Sequence, residues 1–111
     1  MNSKVLSEIL FWHHYNTSVK ALKLKIAELK EGMKGLEIIG TIARKGNPEQ
    51  RGGKLYCRCI LKDDSAHIVL NLWRDQVNQV KDGDRVRISK GFVHKWKNEI
   101  QLSTWSAIET R

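Results

Sequence analysis

The chain has 111 residues, enough for one domain with a hydrophobic core of its own. Its formal net charge is +8, which favours a polyanionic partner such as nucleic acid. No apolar run is long enough to span a bilayer and no cleavage-site pattern follows the first residues, so we expect neither a membrane partner nor a signal peptide. The only cysteines, Cys57 and Cys59, fit a reduced cytoplasmic location, because two positions apart on a strand is poor geometry for a disulfide.

Residues 1–20 differ from the rest of the chain. Apolar residues recur there at helical spacing, and Ser3 is a suitable cap, so we predict a helical N-terminal extension. Such a segment either packs or frays beside the domain, or docks on a partner protein. We therefore divide the chain into an extension over residues 1–20 and a domain over residues 21–111.

The domain is predicted to consist of short β-strands. Five strands are expected, over residues 36–43, 55–61, 66–73, 85–93 and 99–105. A short helix fits residues 74–80, polar loops fit 44–53 and 94–98, and Gly40 inside the first strand suggests a bulge or sharp coil. This order is typical of the OB type. The predicted fold class is therefore all-β, a five-stranded OB-fold Greek-key barrel with a short helix between strands 3 and 4.

The second and third strands alternate between a core face and an outward face. OB barrels bind oligomers on this outward face, together with the loops between strands 1 and 2 and between strands 4 and 5. Packing gives no reason to place Trp73 on a polar face, whereas stacking of unpaired bases does. The alternative is that Trp73 caps the end of the barrel or packs under the N-terminal segment. The outward residues of interest are Tyr56, Arg58, His67, Asn71 and Trp73.

The end of the fourth strand interleaves rings with positive charges. Phe92 and Trp96 alternate with Lys90, Lys95 and Lys97. Rings supply stacking and lysines neutralise phosphates, which suits a flexible polyanion. The alternatives are a core position for Phe92 and a loop-tip anchor for Trp96.

Two further features leave alternatives open. The loop before the second strand carries Arg44 and Arg51, which belong either to a solvated loop or to a mobile basic arm that closes on the bound strand. Trp105 either extends the stacking surface or covers the open end of the barrel.

Nothing in the sequence predicts catalysis, a metal site or a cofactor. The histidines and cysteines do not have metal-ligand spacing, and there is no nucleophile with a base, no phosphate cradle and no paired carboxylates on the proposed face. Asp63 and Asp64 are interpreted as turn formers. We predict that the protein is not an enzyme.

The stretch from Ile26 to Glu109 resembles the archaeal single-stranded DNA-binding protein, a single OB domain related to replication protein A. It is also similar to the short eukaryotic single-strand-binding proteins of DNA repair. The matching pieces, in order, are IAELKEGMKG, the strand ending IVLNLW, VKDGD, and residues 88–96 followed by IQLS. The resemblance implies three stacking aromatics, which fall on Trp73, Phe92 and Trp96.

The predicted function is sequence-tolerant binding of single-stranded DNA by base stacking and phosphate contacts. The alternatives are an RNA-binding OB protein, or an OB subunit of a repair or replication complex that contacts its partner through residues 1–20. Comparing poly-dT with poly-U separates DNA from RNA, since stacking and charge do not recognise the sugar. The candidate nucleic-acid-binding residues are Trp73, Phe92, Trp96, Tyr56, Arg58, Asn71, Arg74, Lys90, Lys95, Lys97, Arg44 and Arg51.

Overall fold

The computed structural model describes residues 22–111, and the predicted helix over residues 1–20 lies outside them. The described part is mostly β, as predicted. Its strands are β1 Leu22–Lys23, β2 Lys34–Ala43, β3 Glu49–Arg51, β4 Lys54–Lys62, β5 His67–Trp73, β6 Arg85–Trp96, β7 Glu99–Ser103 and β8 Glu109–Thr110. Two short 3-10 helices span Ile26–Glu28 and Arg74–Asn78. Within residues 22–111, no helix is long and apolar enough to cross a membrane.

The sheet closes on itself through the pairing of β6 with β2. The neighbours run β2, β4, β5, β7 and β6, and β6 returns to β2 in antiparallel register from Lys34↔Phe92 to Thr41↔Arg85. The β5–β7 contact is parallel, as is that of β1 with β2, and the other pairings are antiparallel. Closure of this kind removes most of the open strand edge.

The core lies inside this closed sheet and is almost entirely aliphatic. It is formed by alternate residues of the strands together with Val77 from the second 3-10 helix, and its fully buried members include Leu36, Ile38, Leu70, Leu72, Val86, Ile88 and Leu102. Both cysteines are free and buried in it, and burial raises the pKa of the Cys59 thiol to about 12. They therefore act as small apolar side chains rather than as reactive thiols.

Three segments differ from the sequence-based expectation. The predicted loop over 94–98 is wrong, because β6 continues to Trp96 and only Lys97 and Asn98 form the turn. Part of the predicted loop over 44–53 is the strand β3, which pairs with β4. The last predicted strand is shorter, ending at Ser103. The pairings of β6 with β7 and of β3 with β4 were missed because a two-residue turn joins each pair. Such a short turn leaves almost no loop residues to mark the hairpin in the sequence.

Gly40 is required by a close backbone approach. A Cβ atom at this position would lie 2.7 Å from the carbonyl oxygen of Lys62 and 2.9 Å from Cγ of Leu61. The register shifts in β2 lie earlier, between residues 34 and 38. Gly40 therefore permits the contact of β2 with the end of β4 rather than marking the bulge itself.

Asp63 organises the turn between β4 and β5. Its carboxylate accepts hydrogen bonds from the amides of Ile26, Ser65 and Ala66 and from the Ser65 hydroxyl. Partial burial raises the pKa of the Asp63 carboxyl, but these hydrogen bonds outweigh that effect and bring it to about 2. The turn-forming role predicted for this residue thus extends to tying the first 3-10 helix to the hairpin.

We expect Asp63→Ala to lower the free energy of unfolding at neutral pH by about 1–2 kcal/mol, because several amide donors lose their acceptor. A carboxyl whose pKa is lowered by folding stabilises the fold at pH values above its pKa in the unfolded chain, about 3.9. That contribution disappears as the pH falls through its pKa in the folded protein, about 2. Urea unfolding of the parent protein and of Asp63→Ala between pH 7 and pH 2 measures this contribution. The difference between their free energies of unfolding should shrink towards pH 2.

Asp64→Ala is the matched control, because within residues 22–111 the neighbouring carboxylate pairs with the exposed Lys25 amine alone, at 2.8 Å. Exposed ion pairs contribute little, so this variant should unfold almost as the parent does. Equal destabilisation by the two substitutions would contradict the role assigned to Asp63.

Candidate nucleic-acid interface

A hollow of about 400 Å³ lies over the outer face of β4, β5, β6 and β7. We call it the aromatic groove, because six of the side chains lining it are rings: Tyr56, Trp73, Phe92, His94, Trp96 and Trp105. A larger hollow of about 760 Å³ lies against β2 and the β4–β5 turn, but its lining includes no ring and mixes both signs of charge. The aromatic groove is therefore the better candidate for a site that binds unpaired bases.

The strand β6 supplies three of these rings. Phe92, His94 and Trp96 occupy alternate positions, so they project from the same face of the strand. The turn at Lys97 and Asn98 has positive φ at both residues, 50° and 65°, which is the geometry that joins twisted antiparallel strands most directly. The groove face of β6 thus continues without interruption to the tip of the hairpin.

Tyr56 and Trp73 form the part of the groove on β4 and β5. They are direct cross-strand partners, and their ring centroids lie 4.6 Å apart. The Arg51 guanidinium lies 4.3 Å from the centre of the Tyr56 ring, a cation–π contact. Tyr56 is buried whereas Trp73 is half-buried, so Trp73 is the more accessible ring of the pair.

The most exposed rings are Trp96 and Trp105. Trp96 is 51% exposed and Trp105 is 78% exposed. The Lys97 ammonium lies 4.5 Å from the centre of the Trp96 ring, and Trp105 leans on Phe92 with a centroid separation of 5.7 Å. The placement of Trp105 favours its extending the stacking surface, one of the two alternatives left open by the sequence.

The floor of the groove is a buried hydrogen-bond network. The Tyr56 hydroxyl donates to Oδ1 of Asn71 at 2.6 Å, and Nδ2 of Asn71 donates to Oε1 of Gln101 at 2.9 Å and to Oγ of Ser103 at 3.3 Å. Nε2 of His94 lies 2.9 Å from the same Ser103 oxygen. These bonds satisfy the polar groups that the closed sheet buries and fix the side chains beneath the rings.

Asn71 consequently differs from the outward contact that the sequence predicted. It is only 4% exposed, and both ends of its amide are engaged by other side chains. Alternation placed it on the correct face of β5, but it could not show that β7 would cover that position. We assign Asn71 to the floor of the groove and not to the contact surface.

Arg58 reaches the rim of the groove but is paired with Glu99. Its two terminal nitrogens lie 3.2 and 3.4 Å from the two oxygens of the Glu99 carboxylate. The hydrogen bonds from Arg58, followed by that from Gln101, hold the pKa of the Glu99 carboxyl below its ordinary value. The positive charge of Arg58 is therefore already shared with an anion.

Of the remaining predicted cations, two lie at the groove and four do not. Arg51 lines the groove and Lys97 lies beside Trp96. Lys95 does not face the groove, because it alternates with the groove residues of β6 and its amine lies 3.6 Å from the Glu31 carboxylate. The others are exposed but do not line the groove, namely Arg44, Arg74 and Lys90.

The sequence-based prediction missed two participants. His94 lines the groove, and Glu99 lies at its rim in contact with Arg58. The alternate spacing of residues 92, 94 and 96 could have identified His94, but the assignment of a loop over 94–98 concealed it. Among residues 22–111, no cluster of three His, Cys, Asp or Glu side chains could hold a metal ion.

Known structures show the fold of the chain. No family model matches its sequence. The OB domain of Ta0387 from Thermoplasma acidophilum is 24% identical, with a TM-score of 0.70 over 82% of this chain and 88% of that one. A domain of replication protein A from Methanococcus maripaludis is 23% identical, with a TM-score of 0.69 over 80% and 94%. The replication factor A related protein from Methanobacterium thermoautotrophicum is 18% identical, with a TM-score of 0.66 over 80% and 90%. The described domain therefore has an OB fold.

We expect Asn71→Ala to lower the free energy of unfolding by about 2–3 kcal/mol, because it leaves the buried partners of this amide without their hydrogen bonds. Thermal or urea unfolding measures the effect. The matched control is His67→Ala, an exposed residue of the same strand, which should change the unfolding free energy little. A fully stable Asn71→Ala protein would contradict the role of the network.

Proposed function

We propose that this protein binds single-stranded DNA in the aromatic groove, with little dependence on sequence, and that it is not an enzyme. The observation that carries the proposal is that Trp73, Phe92 and Trp96 line one hollow together with a fourth accessible ring, Trp105. Stacking of a base on an aromatic side chain is worth about 1–3 kcal/mol and tolerates any base, because every base has a π-face.

The arrangement of the rings supports a path for the strand across the sheet. Trp73 lies at the end of β5, Phe92 and Trp105 lie together on the β6 side, and Trp96 lies at the tip of the β6–β7 hairpin. We propose that successive bases stack on these rings, so that one domain covers about four to six nucleotides, the low end for an OB fold.

The charge of the protein supports a polyanionic ligand. The net charge of +8 attracts a polyanion at long range, and Arg51 and Lys97 add local cations beside the rings. Lys97 lies over an exposed ring, where an ammonium can contact the phosphate next to a stacked base. We propose that Arg44, Arg74 and Lys90 act at longer range.

The fold likeness is consistent with this function. We propose that the closed sheet is the five-stranded Greek-key barrel expected from the sequence, with β2, β4, β5, β6 and β7 as its strands. The neighbours named as replication protein A domains favour a nucleic-acid ligand and a role in replication or repair. We propose DNA rather than RNA on the resemblance to single-stranded DNA-binding proteins, and equal affinity for oligo-dT and oligo-U would count against that choice.

Trp96→Ala and Trp73→Ala should each weaken binding of a short oligo-dT by about 1–3 kcal/mol, because each removes one stacking surface. Titration calorimetry measures the affinity, and a thermal unfolding scan shows that the variants remain folded. Trp12→Ala, which removes the same side chain from the segment before the domain, is the control and should retain the affinity. Full affinity in both groove variants would refute the placement of the site.

The affinity for oligo-dT should fall with salt, with a log–log slope of about −0.7 for each phosphate contacted. Lys97→Ala should make the slope shallower by about 0.7, because one counterion-releasing contact is lost. Lys95→Ala removes an equal charge from the opposite face of β6 and should leave the slope unchanged. The same change of slope in both variants would show that net charge, and not the groove, determines the salt dependence.

A further inference from the structure

A carboxylate stands beside the most prominent stacking ring of β6. Glu99 is the direct cross-strand partner of Trp96 in the β6–β7 ladder, so their side chains project from the same face as neighbours. The Glu99 side chain is 47% exposed and lines a second hollow, which includes His67 and shares Arg58 with the aromatic groove. An exposed anion at this point weakens the attraction for a polyanion, which suggests that it has a separate role.

The carboxylate is held in one orientation by a chain of hydrogen bonds. Tyr56 donates to Asn71, Asn71 donates to Gln101, and Nε2 of Gln101 donates to Oε1 of Glu99 at 3.0 Å. Arg58 contacts both oxygens from β4. Each hydrogen bond in this series is donated in the direction of Glu99. The series therefore ends at the surface in an acceptor, the Glu99 carboxylate. The lowered pKa of Glu99 keeps it ionised, and an ionised carboxylate only accepts hydrogen bonds.

A base stacked on Trp96 would present an edge to this acceptor. Cytosine carries an amino group at position 4, which donates to a carboxylate, and pairing of Glu with this amine is a known form of base recognition. Uracil and thymine carry a carbonyl oxygen at the same position, and two acceptors facing each other are unfavourable. Arg58 is already paired with both oxygens of Glu99, so it holds the carboxylate in place beside the base. At position 4 the carboxylate therefore complements cytosine better than uracil.

We propose that Glu99 makes the groove select cytosine over uracil and thymine at the position that stacks on Trp96. This inference rests on the proposed function and deepens it, because it adds one selective position to a groove that otherwise tolerates any base. Gln101 and Arg58 are positioning residues in this scheme, since they act by orienting Glu99.

The test compares oligo-dC with oligo-dU, each about six nucleotides long, because the two pyrimidines stack alike and differ only along the edge that bears position 4. Affinity is measured by tryptophan quenching at one salt concentration and mildly basic pH. The parent protein should bind oligo-dC about fivefold to tenfold more tightly than oligo-dU. Glu99→Gln should bring the ratio close to one, because an amide offers either an acceptor or a donor to the base.

Glu49→Gln is the matched control. It also removes one negative charge at the groove, from a carboxylate paired with Arg51 at 3.3 Å, but its cross-strand partner is Tyr56 and not Trp96. It should raise the affinity for both oligonucleotides by the same factor and retain the ratio.

Two results would overturn the inference. One is a parent ratio near one, and the other is a ratio that Glu99→Gln leaves unchanged, in which case Glu99 contributes charge alone. Both leave the proposed function intact, because the oligonucleotides still bind. Failure of the parent protein to bind either oligonucleotide would instead refute the proposed function, and the inference with it.

Discussion

The antiparallel pairing of β6 with both β2 and β7 is the constraint on which the rest of the structure depends. Pairing with β2 closes the sheet and encloses the aliphatic core. Pairing with β7 extends to Trp96 and fixes which β6 side chains face outward. Because side chains alternate with a period of two, a shift of this register by one residue would turn Phe92, His94 and Trp96 towards the opposite face. The candidate site is thus a direct consequence of strand register.

The groove combines accessible rings with a rigid polar floor. Sheet closure buries the polar side chains of Asn71, Gln101 and Ser103, and burial is tolerable because they bond to one another and to Tyr56. The two layers of this surface therefore have different roles. Trp96 and Trp105 are exposed above this floor, whereas the amides of Asn71 and Gln101 beneath are buried and hydrogen-bonded to their neighbours.

The electrostatics of the molecule show a similar division. The excess of positive charge is spread over the surface, and few of the predicted cations line the groove. Arg58 is shared with Glu99 and Lys95 with Glu31, so local pairing reduces what each offers to a phosphate. Arg51 is paired with Glu49 and also lies over the Tyr56 ring, whereas Lys97 lies over the Trp96 ring. In the proposed function, long-range attraction of the polyanion would therefore depend on net charge, whereas local contact would depend on a few residues beside the rings.

The sequence by itself determined the strand-rich fold and the core residues of β4 and β5, because these depend on local alternation and on residue type. It placed Gly40 as a special position, though not the close approach to Lys62 that requires it. Only the tertiary structure decided that β6 continues to Trp96, that β7 buries Asn71, and that Arg58 forms an ion pair with Glu99. The burial of Asn71 and the pairing of Arg58 arise from contacts between residues 30 or more positions apart in the chain, whereas the continuation of β6 depends on its hairpin pairing with β7. Local patterns carry no information about which distant side chain will satisfy a buried amide or a charge, and that choice is made when the sheet closes.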